Sequence, residues 1–195
     1  MAKNLHMNPF ANPKYVTSSY DLQNLLSKCT KCLAITQNAN LIVPQENLPE
    51  IQLPLHTQKK FFVIVHIPAK GPGRDDANEL VGHWVGLAVF VEFPPHKSKC
   101  LVIDPANQFH NDTHTYFLIH EFCTKHNLNL IKYNVLFQKS SSLLCGLLIL
   151  FHVAKMESLS FNGMMHLRTI IKNHNVHFNE CYMLAFVQRH FNVIF

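Results

Sequence analysis

Four side chains in this 195-residue chain have the types and spacing for acyl-transfer chemistry: His83, Asp104, Gln138 and Cys145. Cys145 is followed by Gly146 and a continuous apolar stretch, the pattern of a buried helix that starts at the cysteine. A thiol in that place faces unpaired backbone N–H groups at the positive end of the helix dipole, which favours the thiolate, and a neighbouring imidazolium favours it further. His83 lies in Gly82-His83-Trp84, at the opening of a strand-like run, and is the candidate base. Asp104 closes the next such run. Pro105 follows it, and a residue without an N–H ends a strand and leaves the carboxylate at the sheet rim. From there Asp104 can accept the second ring N–H of His83, fixing its tautomer and steadying its positive charge. Gln138, seven residues before Cys145, offers a side-chain amide, and the Cys145 backbone N–H offers a second donor; together they suit an oxyanion hole. Gly146 has no Cβ and is expected to let a substrate backbone come close to the nucleophile. Asn107 and Asp112 are weaker alternatives for the acid, because both fall beyond the strand end.

Other reactive residue types give less. Cys29 and Cys32 form a C-x-x-C, but no second such pair or close Cys/His pair completes four ligands in sequence. A solvent-side and a core-side thiol on a helix are expected there, and no metal. His120-Glu121 begins like H-E-x-x-H, but residue 124 is Thr. His120, Cys123 and His126 could meet a metal on one helix face, but surface histidines on an amphipathic helix are the more economical reading. The serines at 140–142 lack the G-x-S-x-G context of a serine nucleophile.

The elements that must position the four residues follow from periodicity and punctuation. Ser18 or Ser19 can cap a helix running to about Cys29, with Leu22, Leu25 and Leu26 on one face. Residues 44–54, with three prolines, read as a surface connection. The run 61–67, FFVIVHI, reads as a buried strand stopped by Pro68 and a polar loop at 71–78. Strands at 83–93 and 100–103 complete an antiparallel meander. Residues 113–126 read as a helix with Thr113 as cap and Tyr116, Phe117, Ile119 and Phe122 on its apolar face, and 130–137 as a returning strand. The helix from Cys145 and two more at about 164–173 and 178–190 finish the chain. The expected class is α+β: one domain over 1–195, with a central mixed or antiparallel sheet packed on the buried helix that begins at Cys145.

Composition sets the frame. Hydrophobic residues are 48% of the chain and charged ones 15%, which excludes a disordered tail and supplies apolar surface for one core. The first twenty residues hold no apolar stretch of the secretory kind, and the longest apolar run, at 143–151, is too short to span a bilayer. An intracellular, non-membrane protein with six reduced cysteines is therefore expected. The net charge of +5 is compatible with polyanion contact, yet no dense Lys/Arg cluster marks a nucleic-acid track.

His83-Trp84, Asp104-Pro105 and Gln138-x6-Cys145-Gly146, in this order, resemble the adenain clan of cysteine peptidases. The His-Trp pair and the Gln-to-Cys spacing are most similar to those of the adenovirus-type maturation proteases. The resemblance covers about residues 83–152. It implies a papain-like α+β fold and a thiol protease in which His83 is the base, Asp104 the orienting acid, Gln138 the oxyanion donor and Cys145 the nucleophile. Trp84 matches the aromatic residue that follows the family's histidine, beside the substrate with Gly146. Aspartate as the acid is shared with the deconjugating branch of the clan, whereas adenovirus enzymes usually carry Glu. The resemblance further implies viral capsid and core precursors as substrates in virion maturation, a host nucleus, cytoplasm or virion location, and a monomer. No cofactor is required by the chemistry, although a viral peptide and DNA activate adenovirus enzymes, and Cys100 or Cys123 could anchor such a peptide. A deconjugase acting on SUMO or ubiquitin, acyl transfer from acetyl-CoA, and a non-catalytic nucleic-acid-binding virion protein are the rival readings.

Overall fold

The apolar runs of the sequence pair into one five-stranded mixed sheet. The computed structural model describes residues 17–68, 82–108, 113–139 and 142–192. Strands β1 (Ile42–Pro44), β2 (Lys60–Pro68), β3 (Gly82–Phe90), β4 (Lys99–Ile103) and β5 (Asn129–Lys132) lie side by side in chain order. The pairs β2–β3 and β3–β4 are antiparallel, as the meander predicts; the outer pairs β1–β2 and β4–β5 are parallel. Around the sheet stand α1 (Ser19–Leu26), α2 (Thr30–Ile35), α3 (Thr113–Lys125), α4 (Cys145–Ser158), α5 (Phe161–Lys172) and α6 (Val176–His190). The α+β expectation holds, with a mixed sheet.

The near-continuous apolar strands are explained by burial on both faces. Phe62, Ile64, Trp84, Ala88, Leu101 and Ile103 join one core with α1, α2, α4, α5 and α6. The alternating Phe61, Val63, Val65, Val85, Leu87, Cys100 and Val102 join a second core with Ile119 and Phe122 of α3 and with Leu48. From Cys145 through Ala154 every residue of α4 is buried, so this helix has no polar face. Each fully buried Leu, Ile or Phe there contributes about 1.5–3 kcal/mol. Gly86 of β3 makes the close approach possible: a Cβ there would meet the Phe62 ring at 2.7 Å and Ile149 of α4 at 3.2 Å.

Three expectations change. Residues 44–54 are not merely a surface connection: Pro44 ends β1, and a 3₁₀ turn at Gln45–Glu50 buries Leu48 and lets Gln45 Oε1 accept from Thr115 Oγ1 of α3 at 2.6 Å. The expected strand at 130–137 stops at Lys132, because Asn134 takes a left-handed φ of 48° that no ladder accommodates. The helix expected to run to about Cys29 stops at Leu26, and a second short helix follows it. Ser18 caps α1 through a reciprocal box in which Ser18 Oγ accepts from the Asp21 N–H and the Asp21 carboxylate from the Ser18 N–H, and Cys29 then caps the short α2. The loop at 71–78, Asp112, Ser140 and Ser141 lie outside the described residues, as does the side chain of Thr113. Among the described residues no helix is long and apolar enough to cross a membrane.

Candidate active site

The register of β3 against β4 makes the site. Their pairing ends at Gly86 opposite Ile103, so Gly82 through Val85 run on beyond β4 beside the turn that begins at Asp104. In that turn the Asp104 carboxylate accepts from the backbone N–H of Ala106 (3.0 Å) and of Gln108, and the Asn107 N–H returns to the Asp104 carbonyl (3.1 Å). Asn107 takes the left-handed φ of 50° that closes the turn, so this alternative acid is a turn former. Thus fixed, Asp104 Oδ1 lies 2.6 Å from His83 Nε2. The Asp104 side chain is 5% exposed and that of His83 21%.

Cys145 opens α4 and touches the same imidazole. Burial alone would push His83 down, but its hydrogen bonds to Asp104 and Cys145, together with the charge of both, outweigh this and raise it to about 10. With Nε2 engaged by Asp104, Nδ1 is the nitrogen left for the thiol. An acid, an imidazole and a sulfur from three separate elements therefore form one line.

Gln138 is anchored through its backbone beside the turn that holds Asp104. The backbone N–H groups of Phe137 and Gln138 both donate to the Pro105 carbonyl at 3.0 Å, tying this segment to the residue after the acid. The side chain is buried; its Nε2 donates to the Ser142 carbonyl at 2.5 Å, which leaves a second N–H on that nitrogen. The N-cap of α4 is Leu144, which supplies no side-chain cap, so the first amides of the helix, Cys145 among them, keep their donor character.

The surroundings of Trp84 and Gly146 depart from expectation. The face of Gly146 is filled by Thr17, because a Cβ there would lie 2.8 Å from Thr17 Cβ and Cγ2. The missing side chain accommodates the chain just before α1 and not, at that face, a substrate. Trp84 is buried in the α4-side core, and its indole Nε1 donates to the Thr17 carbonyl at 2.8 Å. Trp84 therefore holds Thr17 over Gly146. Sequence patterning marks Ser18 or Ser19 as the cap next door, but carries no signal for Thr17.

The other reactive residues are dispersed. Cys100 and Cys123 are buried against each other; the hydrogen bond from Cys123, then burial, push the Cys100 thiol up, and neither is open to an incoming peptide. His120, Cys123 and His126 do not converge, since His126 Nε2 lies 3.0 Å from the Ile51 carbonyl. Among the described residues, the one grouping with metal-ligand geometry is Cys29, Cys32 and His190, which shares no residue with the His83–Cys145 site. No family model matches the chain, and no curated protein matches it.

Proposed function

We propose that the protein is a cysteine endopeptidase of the adenain type, with a papain-like arrangement of sheet and α4, acting on viral capsid or core precursors. The observation that carries this reading is the line from Asp104 through His83 to Cys145, with the imidazole held in its charged form by the residues on both sides. A core histidine needs neither a buried carboxylate at 2.6 Å nor a thiol at a helix start. His152 provides the contrast: it is fully buried in α4, its Nδ1 bonds only the Leu148 carbonyl, and burial lowers it to about 4.

In the proposed reaction the Cys145 thiolate attacks the scissile carbonyl. The oxyanion is held by the second Gln138 Nε2–H and by the Cys145 N–H. Protonated His83 gives its proton to the leaving amine as the C–N bond breaks, which leaves a thioester on Cys145. Water then attacks the thioester while His83 takes its proton; the C–S bond breaks, the acid product leaves and the ion pair is restored. Asp104 moves no proton. It keeps the ring oriented and its charge balanced.

Co-expression of the chain, or of Cys145→Ala, with capsid and core precursors of adenovirus-like particles tests this reading. Processing by wild type and none by Cys145→Ala is expected; equal processing by both would overturn the mechanism. Probes ending in ubiquitin-like C-termini separate the endopeptidase from a deconjugase: rapid labelling of Cys145 with no precursor cleavage would move the function to isopeptide bonds.

A further inference from the structure

Two thiols and an imidazole meet where the start of α2 and the end of α6 come together. Cys29 caps α2 and Cys32 lies within it, while His190 is the last residue of α6, 158 residues after Cys32. The sulfurs lie 2.8 Å apart, and His190 Nε2 is 3.6 Å from Cys29 Sγ and 3.8 Å from Cys32 Sγ. In a tetrahedral site with Zn–S near 2.3 Å and Zn–N near 2.0–2.1 Å, sulfur and nitrogen ligands stand about 3.6 Å apart and two sulfurs about 3.8 Å. Both S···N distances already fit, and the sulfurs need to separate by about 1 Å, within reach of a small χ1 rotation. A disulfide would use the two sulfurs alone and give no reason for one ring nitrogen to face both of them.

The setting suits a cation. The Cys32 N–H donates to Cys29 Sγ at 3.4 Å, a contact that orients and steadies a metal-bound thiolate. His190 closes α6 at its negative dipole end, where positive charge is favoured. Cys32 is buried, Cys29 half-buried and His190 exposed, so an ion can enter from the His190 side. Thiolate with imidazole selects a borderline-soft divalent ion.

We propose that Cys29, Cys32 and His190 form a zinc site, with water in the fourth position, that ties the end of α6 to the start of α2. Both tied segments pack on α4, the helix that carries Cys145, so the ion closes the helical layer around that helix. It touches neither Cys145 nor His83 and is independent of the peptidase reading.

The test uses the full chain with Cys145→Ala, so that Cys145 and His83 cannot supply a second zinc-binding pair. Zinc is measured by elemental analysis after dialysis, and affinity by chelator competition. One zinc per chain is expected. Because His190 is exposed, His190→Ala retains the fold and is expected to weaken zinc by more than the roughly 10–100-fold that outer partners of metal sites control. Cys32→Ser is expected to abolish binding. Cobalt substitution should give a thiolate-to-cobalt charge-transfer band that His190→Ala alters, and a chelator should lower Tm in the parent but not in His190→Ala. A zinc-free parent after zinc supplementation, zinc content and affinity unchanged by His190→Ala, or a protein lighter by two hydrogens with Cys29 and Cys32 joined would each overturn the proposal.

Discussion

Asp104 acts on His83 through both geometry and charge. Its two carboxylate oxygens are already anchored by the Ala106 and Gln108 amides, so the carboxylate presents one fixed edge to the ring. Asp104→Asn keeps the shape but loses the charge; in the proposed mechanism kcat should fall by up to about 10⁴-fold, with circular dichroism unchanged. Ring ¹⁵N shifts give the direct reading. His83 should hold its proton through neutral pH in the wild type and release it near pH 10, and Asp104→Asn should move that release downward. Gln138→Ala should cost about 10²–10³ in kcat with KM little changed, because the lost donor acts on the oxyanion more than on the bound substrate. Residue types and spacing bring out His83, Asp104 and Cys145, which the fold places together. Thr17 is invisible in sequence because a threonine before a cap has no distinguishing pattern; its contact with Gly146 and the indole bond from Trp84 appear only in the fold.

At the scale of elements, the site depends on two close approaches that only glycine permits. Gly86→Ala should force Phe62 or α4 aside and cost about 1–3 kcal/mol in urea unfolding. Gly146→Ala should displace Thr17 by a similar cost, and Thr17→Gly, which removes the clashing Cβ and Cγ2, should recover most of it. Failure of the double variant to recover would show that the space over Gly146 is set by something other than Thr17. The strands buried on both faces were legible because runs such as FFVIVHI leave no polar side. Strand β1 was not, since three residues ending in proline carry no period, and its parallel pairing to β2 arises from long-range packing. The early end of β5 likewise rests on one backbone angle at Asn134, which composition does not announce.

For the whole molecule, two histidines, half-buried His83 and fully buried His152, pull stability in opposite directions with pH. His83 is raised above the ordinary value near 6.5, so its contribution is fully present below that value and is lost as pH rises towards about 10. His152 is lowered to about 4, so its contribution is present above the ordinary value and is lost as pH falls through 6.5 towards 4. Taken together they place maximal stability near pH 6.5. Tm measured from pH 4 to 10 should peak there, with the alkaline slope reduced in Asp104→Asn and the acid slope reduced in His152→Gln. Of the fourteen histidines, His83, His126, His152 and His190 sit in four different settings, which their number does not predict. The central claim is that Cys145, driven by His83 and Asp104, breaks peptide bonds. It is tested most directly by incubating the purified chain with a proteome-derived peptide library and mapping new N-termini by mass spectrometry. The account predicts a defined set of cleavages that is absent with Cys145→Ala. The same cleavages from Cys145→Ala, or none from a wild-type chain whose Cys145 reacts with thiol-directed electrophiles, would contradict it.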